Sequence, residues 1–420
     1  MPLVDCPREL LEWLAIPSVR ALPGHRVDVV RAGRWICDFM AGCGTWRLDE
    51  HGPLVLGSVS ASAANAPTVL VYGHFDVQPA GDEALWDSPP FAPEIRGDWL
   101  YGRGTADSKA NSYVLLSAIR SLARADRLPV NITAVFDGAE EVDGTAAPEY
   151  ATAPALTPAA AIVWDGSMFD RDTPAFYVSS RGTIAYDVRV TTSERDLHSG
   201  IYGGYAMNAV HALMAALAPV LSDSFAGPAM AASADERRQW RVPELVGVVR
   251  RPGAVFQERT QLGTSVDVTG IEGGYPGLHS AVVPARARAR VAIRVGPGVD
   301  PAAADASFRR AVADAMPPGA SLEIACESSV APAQTLADSR PLRLAADAFE
   351  RVLGVRPLLL RAGATIPIAA ALASRGISTI MTGLALPESC GHAPNERFLV
   401  AHLDLGIELA RSLLTSLGDL

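Results

Sequence analysis

Histidine and acidic side chains follow several apolar segments of the chain, at the point where each segment ends. The stretch VLVYGHFDVQP is apolar up to Tyr72 and then supplies His74 and Asp76. Acidic residues also follow the later segments VNITAVFDGA and AAIVW. The full set is His74, Asp76, Asp107, Glu140, Glu141, Asp165 and His392. Because open α/β sheets bind ligands beyond the carboxyl ends of their strands, we expect these side chains to meet at one sheet edge.

The residue types in this set match a site for two metal ions. Imidazoles and carboxylates suit zinc, manganese and cobalt, and a carboxylate such as Asp107 can bridge ions roughly 3.5–4 Å apart. Asp76 lies two residues beyond His74, where a carboxylate can fix the orientation of the ring. Glu140 and Glu141 point in opposite directions in an extended loop, so one can bind metal while the other accepts a proton from water.

Each member of the set also has a simpler interpretation. A single HFD triplet is common, adjacent glutamates usually lie on solvated surfaces, and His392, His198 and His211 could be ordinary surface histidines. The stretch GRGTADSK lacks the GK[ST] ending of a phosphate-binding loop and could be a tight turn before a helix. The prediction of a metal site therefore depends on the whole set.

The segments around these residues predict an α/β sheet with helices on both faces. Strands are predicted at 68–73, 130–137 and 159–165, and a helix at 111–125 has its apolar residues on one side. Residues 9–45 have a helical pattern as a whole.

The pattern changes near Ser180. Alternating apolar and polar residues predict strands at 182–192 and 285–295, and a proline-initiated helix is predicted at 301–316. The α/β pattern returns after 333. We therefore predict a catalytic domain formed by residues 1–180 and 334–420, interrupted by an inserted domain at 181–333.

The composition restricts the class of protein and its location. The chain has 420 residues, of which 49% are hydrophobic and 20% charged, which indicates two globular domains. A net charge of -10 argues against nucleic acid as a partner. Five scattered cysteines favour a reducing compartment over a disulfide framework. We expect a cytoplasmic protein without a membrane partner, because the N-terminus lacks a signal-peptide pattern and no run of about 18 apolar residues is present.

Several motifs resemble one family of enzymes. They are YGHFDVQP, WDSPPFAPEIRGDWLYGRGTADSKA, DGAEEVDG, SSRGTIAYDV, DLHSGIYGG and GHAPNERF. In this order they resemble the co-catalytic metallopeptidases that include carnosinase, the cytosolic non-specific dipeptidase, carboxypeptidase G and the aminoacylases. The region between LHSGIYGG and AIRVGPG is most similar to the carnosinase and dipeptidase branch. The resemblance implies a zinc-peptidase-like α/β catalytic domain, with a mixed sheet flanked by helices, and an inserted α+β domain that acts as a lid and dimerises.

The resemblance also assigns roles to the residues that could bind metal. His74, Asp107 and Asp165 would hold one ion, and Asp107, Glu141 and His392 would hold the other. Glu140 would be the general base and later the acid, and Asp76 would orient His74. The expected cofactor is two divalent ions per chain, zinc in the first place and manganese or cobalt as alternatives.

Further roles are implied for the inserted domain and for one loop. His198 in LHSG would act on the oxyanion from the second subunit of a homodimer, and Arg294 in AIRVGPG would bind the substrate carboxylate. Gly363, Ala364 and Thr365 in RAGATIP would contact substrate. The loop departs from the family, since Ala362 replaces an acid and Ala364 a glycine. In ADSKAN, Ser108 and Ala110 stand where the family commonly has an acid and a glycine.

The expected function is metal-dependent hydrolysis of a dipeptide-like bond in a small substrate with a free carboxylate. An alternative on the same scaffold is an amidohydrolase that acts on an N-acyl amino acid or a specialised metabolite, which the altered RAGATIP loop favours. Two further alternatives are a non-catalytic binding protein descended from such an enzyme, and a nucleotide-binding protein that uses GRGTADSK.

Overall fold

The computed structural model describes residues 6–49, 51–142, 144–222, 225, 230–240, 249, 254–275, 277 and 280–420. The chain forms two compact units. The first unit comprises Met1–Val178, Thr335–Leu360 and Pro367–Leu420, and the second unit comprises Ser179–Gln334 and Arg361–Ile366. Residues 1–5 of the N-terminal stretch and much of 223–253 in the predicted insertion lie outside the described residues.

Helices and strands alternate through most of the first unit, and the following bounds cover both units. The α-helices are α1 (Arg8–Leu14), α2 (Arg26–Phe39), α3 (Lys109–Arg124), α4 (Ala146–Ala151), α5 (Ser199–Tyr202), α6 (Ala209–Leu217), α7 (Ala234–Gln239), α8 (Pro301–Asp314), α9 (Arg340–Leu353), α10 (Pro367–Ser374) and α11 (Ala401–Leu417). The strands are β1 (Thr45–Asp49), β2 (Leu54–Val59), β3 (Thr68–His74), β4 (Glu94–Arg96), β5 (Trp99–Tyr101), β6 (Asn131–Asp137), β7 (Ala160–Trp164), β8 (Ala175–Ser180), β9 (Gly182–Thr191), β10 (Leu197–His198), β11 (Ser265–Gly273), β12 (Val282–Val283), β13 (Arg286–Val295), β14 (Ser321–Val330), β15 (Ala333–Gln334), β16 (Leu358–Ala362), β17 (Thr379–Thr382) and β18 (Arg397–Leu399). Within the described part of the chain, no helix is both long enough and apolar enough to cross a membrane.

The largest sheet is mixed, and its middle strands are parallel. Its order is β1-β2-β6-β3-β7-β17-β8-β15, and β16 also pairs with β8. β3 runs parallel to β6 and β7, and β17 runs parallel to β7, whereas β2 is antiparallel to β6 and β17 to β8. β3 is buried from Val69 to His74 because it has a neighbour on each side and helices above and below, which explains why its sequence is continuously apolar until it ends.

Five helices of the first unit share one hydrophobic core with this sheet. The core includes Trp13, Ile36, Leu115, Phe349 and Leu409 from α1, α2, α3, α9 and α11, together with Val71 and Phe136 from the strands. The sheet is therefore fixed over most of its length, and its strand ends are held in defined positions.

Helix α3 passes close to the end of β3. A β-carbon at Gly73 would lie 2.5 Å from Ser112 Oγ, so only glycine fits there. Ser112 Oγ donates a hydrogen bond of 3.0 Å to the carbonyl oxygen of His74. This contact places the start of α3, and the Asp107 loop before it, beside His74.

The second unit contains an antiparallel sheet with helices on one face. Its order is β11-β13-β9-β14. In β13, residues such as Val291 and Ile293 are buried against Leu213 of α6 and Phe308 of α8. The arginines of β13 alternate with these residues and project from the opposite face. α8 begins with Pro301 after Asp300, whose Oδ1 accepts from the Ala302 amide at 3.0 Å.

Most predicted elements are confirmed, and one is wrong. The strands at 68–73, 130–137 and 159–165 and the helix at 111–125 match β3, β6, β7 and α3 to within two residues. Residues 9–45, however, form two separate helices and the start of β1. Pro17 and Pro23 lie between α1 and α2, where proline cannot continue a helix interior.

Candidate metal centre

His74 ends β3 and lies against two carboxylates. Its Nε2 is 2.9 Å from Asp107 Oδ1 and 3.3 Å from Asp165 Oδ1, and its side chain is fully buried. Its Nδ1 lies 3.1 Å from the backbone oxygen of Asp76 and 3.5 Å from Asp76 Oδ1. A carbonyl oxygen only accepts, so Nδ1 carries a proton and donates it to Asp76. Nε2, on the other side of the ring, therefore faces two carboxylate oxygens, with a lone pair there whenever the ring is neutral.

A second cluster shares Asp107 with the first. His392 Nε2 is 2.8 Å from Asp107 Oδ2 and 3.2 Å from Glu141 Oε2. In each cluster the potential ligand atoms lie within 4.8 Å of one another. The two oxygens of Asp107 thus face different imidazoles, as a carboxylate that bridges two ions must do.

These residues fit a pair of divalent ions. An imidazole lone pair that faces carboxylate oxygens requires a cation between them, either a proton or a metal ion. Glu141 Oε1 is buried and has no hydrogen-bond partner among the described residues, so it has an unused lone pair beside the second cluster. Nitrogen and oxygen donors without thiolates match zinc, manganese or cobalt.

The pKa values of both imidazoles reflect this concentration of negative charge. Burial opposes protonation of His74, but Asp165, Asp107 and Asp76 outweigh it and raise its pKa well above the usual value. Hydrogen bonds to Asp107 and then to Glu141 raise the pKa of His392 to about 10. Without metal, both rings are held as cations by carboxylates that a metal ion could occupy instead.

Asp76 connects His74 to the loop after β6. Its carboxylate is buried and accepts from the backbone amides of Glu140 at 3.2 Å and Glu141 at 3.0 Å. One residue therefore orients the imidazole of His74 and fixes the backbone of both glutamates. Burial raises the pKa of Glu140 well above its usual value; the charge of His74 opposes this, and Asp165, Glu141 and Asp107 add to it.

Two further groups near the clusters were not singled out from the sequence. Gln78 Nε2 donates to Glu141 Oε2 at 2.8 Å. Glu396 is fully buried and accepts from the amides of Ala106 and Asp107 and from Arg103. Gln78 lies in the motif YGHFDVQP and Glu396 in the motif GHAPNERF. Membership of these motifs was the available indication of a role at the site, but the partners of both residues are distant in the sequence.

The loop that carries His392 has an unusual backbone. Cys390, His392 and Asn395 have φ angles of 56°, 61° and 60°. These are left-handed conformations, which histidine and asparagine adopt more readily than most residues. Asn395 anchors the loop, since its Oδ1 accepts from the Asp87 amide at 2.9 Å and its Nδ2 donates to the Leu85 oxygen at 3.3 Å.

The remaining predicted residues belong to the second unit. Arg294 Nη1 donates to Thr365 Oγ1 at 2.8 Å, and the oxygen of Gly363 accepts from Arg181 Nε at 2.9 Å. Ala364, next to them, is exposed.

His198 is exposed at the end of β10. Its Nδ1 accepts from the Gly200 amide at 3.0 Å. An amide can only donate, so the proton of the neutral ring lies on Nε2, which is free to donate to a ligand.

Fold and clusters together define a metallohydrolase: strand ends of a mixed α/β sheet and two loops bring imidazoles and carboxylates into two adjoining groups. The profile of Peptidase family M20/M25/M40 matches residues 70–416, and the chain belongs to this family. The protein is therefore a metallopeptidase.

Similar proteins cover nearly the whole chain. Beta-Ala-His dipeptidase of Rattus norvegicus is 25% identical over 435 residues, which cover 92% of this chain and 88% of that protein. A Cys-Gly metallodipeptidase of Candida albicans is 24% identical over 441 residues, with 94% and 90% covered. The solved structure of the M20 metallo-carboxypeptidase Sso-CP2 from Sulfolobus solfataricus has a TM-score of 0.83 at 22% identity and covers 99% of this chain and 100% of that one.

These comparisons confirm the predicted family resemblance, the α/β fold class with a mixed sheet flanked by helices, and the prediction of a hydrolytic enzyme. The individual roles of the site residues, the division into a catalytic and a lid domain, the cytoplasmic location and the homodimer stay predictions.

Proposed function

We propose that this metallopeptidase is a dipeptidase that uses two divalent ions, zinc in the first place, to hydrolyse a small substrate with a free carboxylate. The observation that carries the proposal is the position of Asp107, whose two oxygens face His74 and His392 at 2.9 and 2.8 Å. A substrate of dipeptide size is supported by similarity to enzymes named for Beta-Ala-His and Cys-Gly.

In this proposal His74, Asp107 and Asp165 hold one ion, and Asp107, Glu141 and His392 hold the other. Ions bound there would polarise the scissile carbonyl and lower the pKa of a bound water to near ~7. Glu140 would accept a proton from water and later return it to the leaving amine. Its pKa, which burial raises well above the usual value, suits a group that both takes and returns a proton.

Residues of the second unit have supporting roles in this proposal. Arg294 offers a planar guanidinium that matches a substrate carboxylate in a way that lysine would not. Its hydrogen bond to Thr365 orients it and leaves other N–H groups of the guanidinium for a ligand. Gly363, Ala364 and Thr365 are proposed to line the substrate, and His198 to donate from Nε2 to the oxyanion.

The test is a substrate screen of metal-stripped protein reconstituted in parallel with zinc, manganese and cobalt. The panel contains dipeptides, including β-alanyl-histidine and cysteinyl-glycine, and matched N-acyl amino acids, with products followed by mass spectrometry. We expect hydrolysis of dipeptides that needs an added ion. Metal uptake below two ions per chain, with no turnover of any compound, would contradict the proposal and favour a binding protein.

A second candidate is an amidohydrolase for N-acyl amino acids. It is favoured by Ala362, which stands in the RAGATIP loop at a position where the resembled family often has an acid. Without that acid the loop has one partner fewer for a free amino group. Faster turnover of N-acyl compounds than of the matching dipeptides would select this candidate.

The proposed homodimer has its own test. A His198→Ala protein and a Glu140→Ala protein are each expected to be inactive. If His198 acts on the site of the second subunit, mixing the two proteins restores part of the activity, because some hybrid sites contain both residues. No recovery after subunit exchange is verified would show that His198 acts within its own chain or has no role.

A further inference from the structure

Glu396 is a buried carboxylate that joins two ligand-bearing loops of the first unit. Its Oε1 accepts from the amides of Ala106 at 2.8 Å and Asp107 at 3.0 Å. Its backbone oxygen accepts from the Gly102 amide at 3.0 Å. The side chain has no exposed surface. Glu396 therefore holds the 102–107 segment by both its side chain and its backbone.

The charge of Glu396 is balanced within the same region. Arg103 Nη1 donates to Glu396 Oε2 at 2.6 Å, and Arg103 Nη2 donates to the oxygen of Pro79 at 3.2 Å. The Arg103 side chain is 1% exposed. Because Arg103 takes Oε2, Oε1 is directed at the two amides. Charge-assisted hydrogen bonds of this length are stronger and more directional than neutral ones.

The two clusters differ in how their ligands are fixed. His74 ends β3 and Asp165 follows β7, and these strands are parallel neighbours in the sheet, so the sheet itself sets the separation of the two residues. His392 lies on a loop four residues before Glu396, and its partner Asp107 lies on the loop that Glu396 holds. The separation of His392 from Asp107 therefore depends on the contacts of Glu396 far more than the separation of His74 from Asp165 does.

We infer that Glu396 is a positioning residue that sets the affinity of the second ion, the one proposed to bind Asp107, Glu141 and His392. This inference rests on the proposed ligand set. Glu396 does not touch an ion or a substrate. It acts on the second ion through two proposed ligands, the backbone of Asp107 and the loop of His392, and on the first ion through the shared Asp107 alone. Arg103 is the counter-charge that fixes the orientation of Glu396.

The experiment is a stepwise cobalt titration of metal-stripped protein, followed by the visible absorption bands of bound cobalt and by calorimetry. Glu396→Gln keeps the size of the side chain but places an amide N–H₂ against Arg103. Arg103→Lys keeps the charge and all of Glu396, and it serves if Glu396→Gln does not fold. Asp187→Asn is the matched control, since it breaks a buried carboxylate–arginine contact in the second unit.

We expect Glu396→Gln to raise the second dissociation constant about 10–100-fold, in the range found for residues that support metal ligands, and the first by a smaller factor of about tenfold or less, because Asp107 belongs to both proposed ligand sets. Arg103→Lys should raise the second constant by a smaller factor, about tenfold or less. Asp187→Asn should change neither constant. The cobalt bands of the second ion should shift in Glu396→Gln, which a merely stabilising residue would not cause.

Equal weakening of both ions, or an unchanged second constant in Glu396→Gln, would overturn the inference. If only Arg103→Lys folds, an unchanged second constant in that variant overturns it. Uptake of fewer than two ions by the wild-type protein would instead contradict the proposed function, so the two failures can be told apart.

Discussion

The carboxylates of the candidate metal centre and Asp187 of the second unit differ in how their buried charge is balanced. In the first unit, several carboxylates converge on two imidazoles, and Glu141 Oε1 has no hydrogen-bond partner among the residues that the structure describes. In the second unit, Asp187 on β9 is also buried, but arginines meet both of its oxygens. Arg288 contacts it at 2.6 and 2.9 Å, and Arg189 at 2.6 Å.

The pKa values show the same contrast. Arg288 and then Arg189 lower the pKa of Asp187 to about 2, whereas burial and neighbouring carboxylates raise that of Glu140 well above its usual value. A carboxylate with cationic partners from its own chain stabilises the fold. Carboxylates that lie together without enough such partners favour the binding of external cations. Charge balance therefore distinguishes Asp187, a structural carboxylate, from Glu140, the proposed reactive one.

The largest effect is expected from Glu140→Gln, which tests the proposed reactive role of the Glu140 carboxylate in this comparison. The amide cannot take a proton from water, so kcat should fall about 10²–10⁴-fold, the usual contribution of a general base. Both ions should stay bound, because Glu140 is not a proposed ligand. Steady-state kinetics and metal analysis of the same sample measure the two effects. Near wild-type turnover would remove Glu140 from the mechanism.

The pH dependence of metal binding is the next largest effect. The pKa of His392 is about 10 and that of His74 is raised well above its usual value, so both imidazoles are cations at pH 7 when no metal is bound. A binding ion must displace these protons, so affinity should increase with pH, about tenfold per pH unit for each proton released. Calorimetry in two buffers of different ionisation enthalpy counts the protons. Zero released protons would contradict the assignment of both rings as ligands.

The smallest effect is expected from Asp187→Asn, which tests the structural side. Losing charge-assisted hydrogen bonds should destabilise the second unit by about 1–3 kcal/mol at pH 7. Because the folded-state pKa of Asp187 is lowered, its contribution is complete above the unfolded-state value of about 3.9 and disappears as the pH falls through about 2. Hydrogen exchange of β9 and β13 amides follows the loss. Unchanged stability of Asp187→Asn at pH 7 would contradict this structural role of Asp187.

The ends of the central strands could be predicted from the sequence. In VLVYGHFDVQP and AAIVW, a continuously apolar segment stops at a charged residue, and burial on both faces of the sheet makes that change visible. The break between α1 and α2 was missed, although Pro17 and Pro23 signal it. β1 and β2 were not assigned, since their short alternation is weak beside the helical pattern before it.

The contacts of Asp76 and Glu396 could not be predicted in the same way. Their partners are backbone amides that lie 64 residues away for Asp76 and 290 residues away for Glu396. Apolar periodicity reports which side of an element is buried, but it carries no information on the direction of an N–H group in a distant loop. Such supporting residues become apparent only when the loops are seen together.

The left-handed backbone around His392 limits which residue types fit at the neighbouring positions. A β-branched side chain at 390 or 395 would cost about 1–2 kcal/mol in that conformation, so valine or isoleucine there would destabilise the loop by about that amount. The positive φ angles of residues 390 and 395 thus restrict substitutions beside His392, independently of what the imidazole binds.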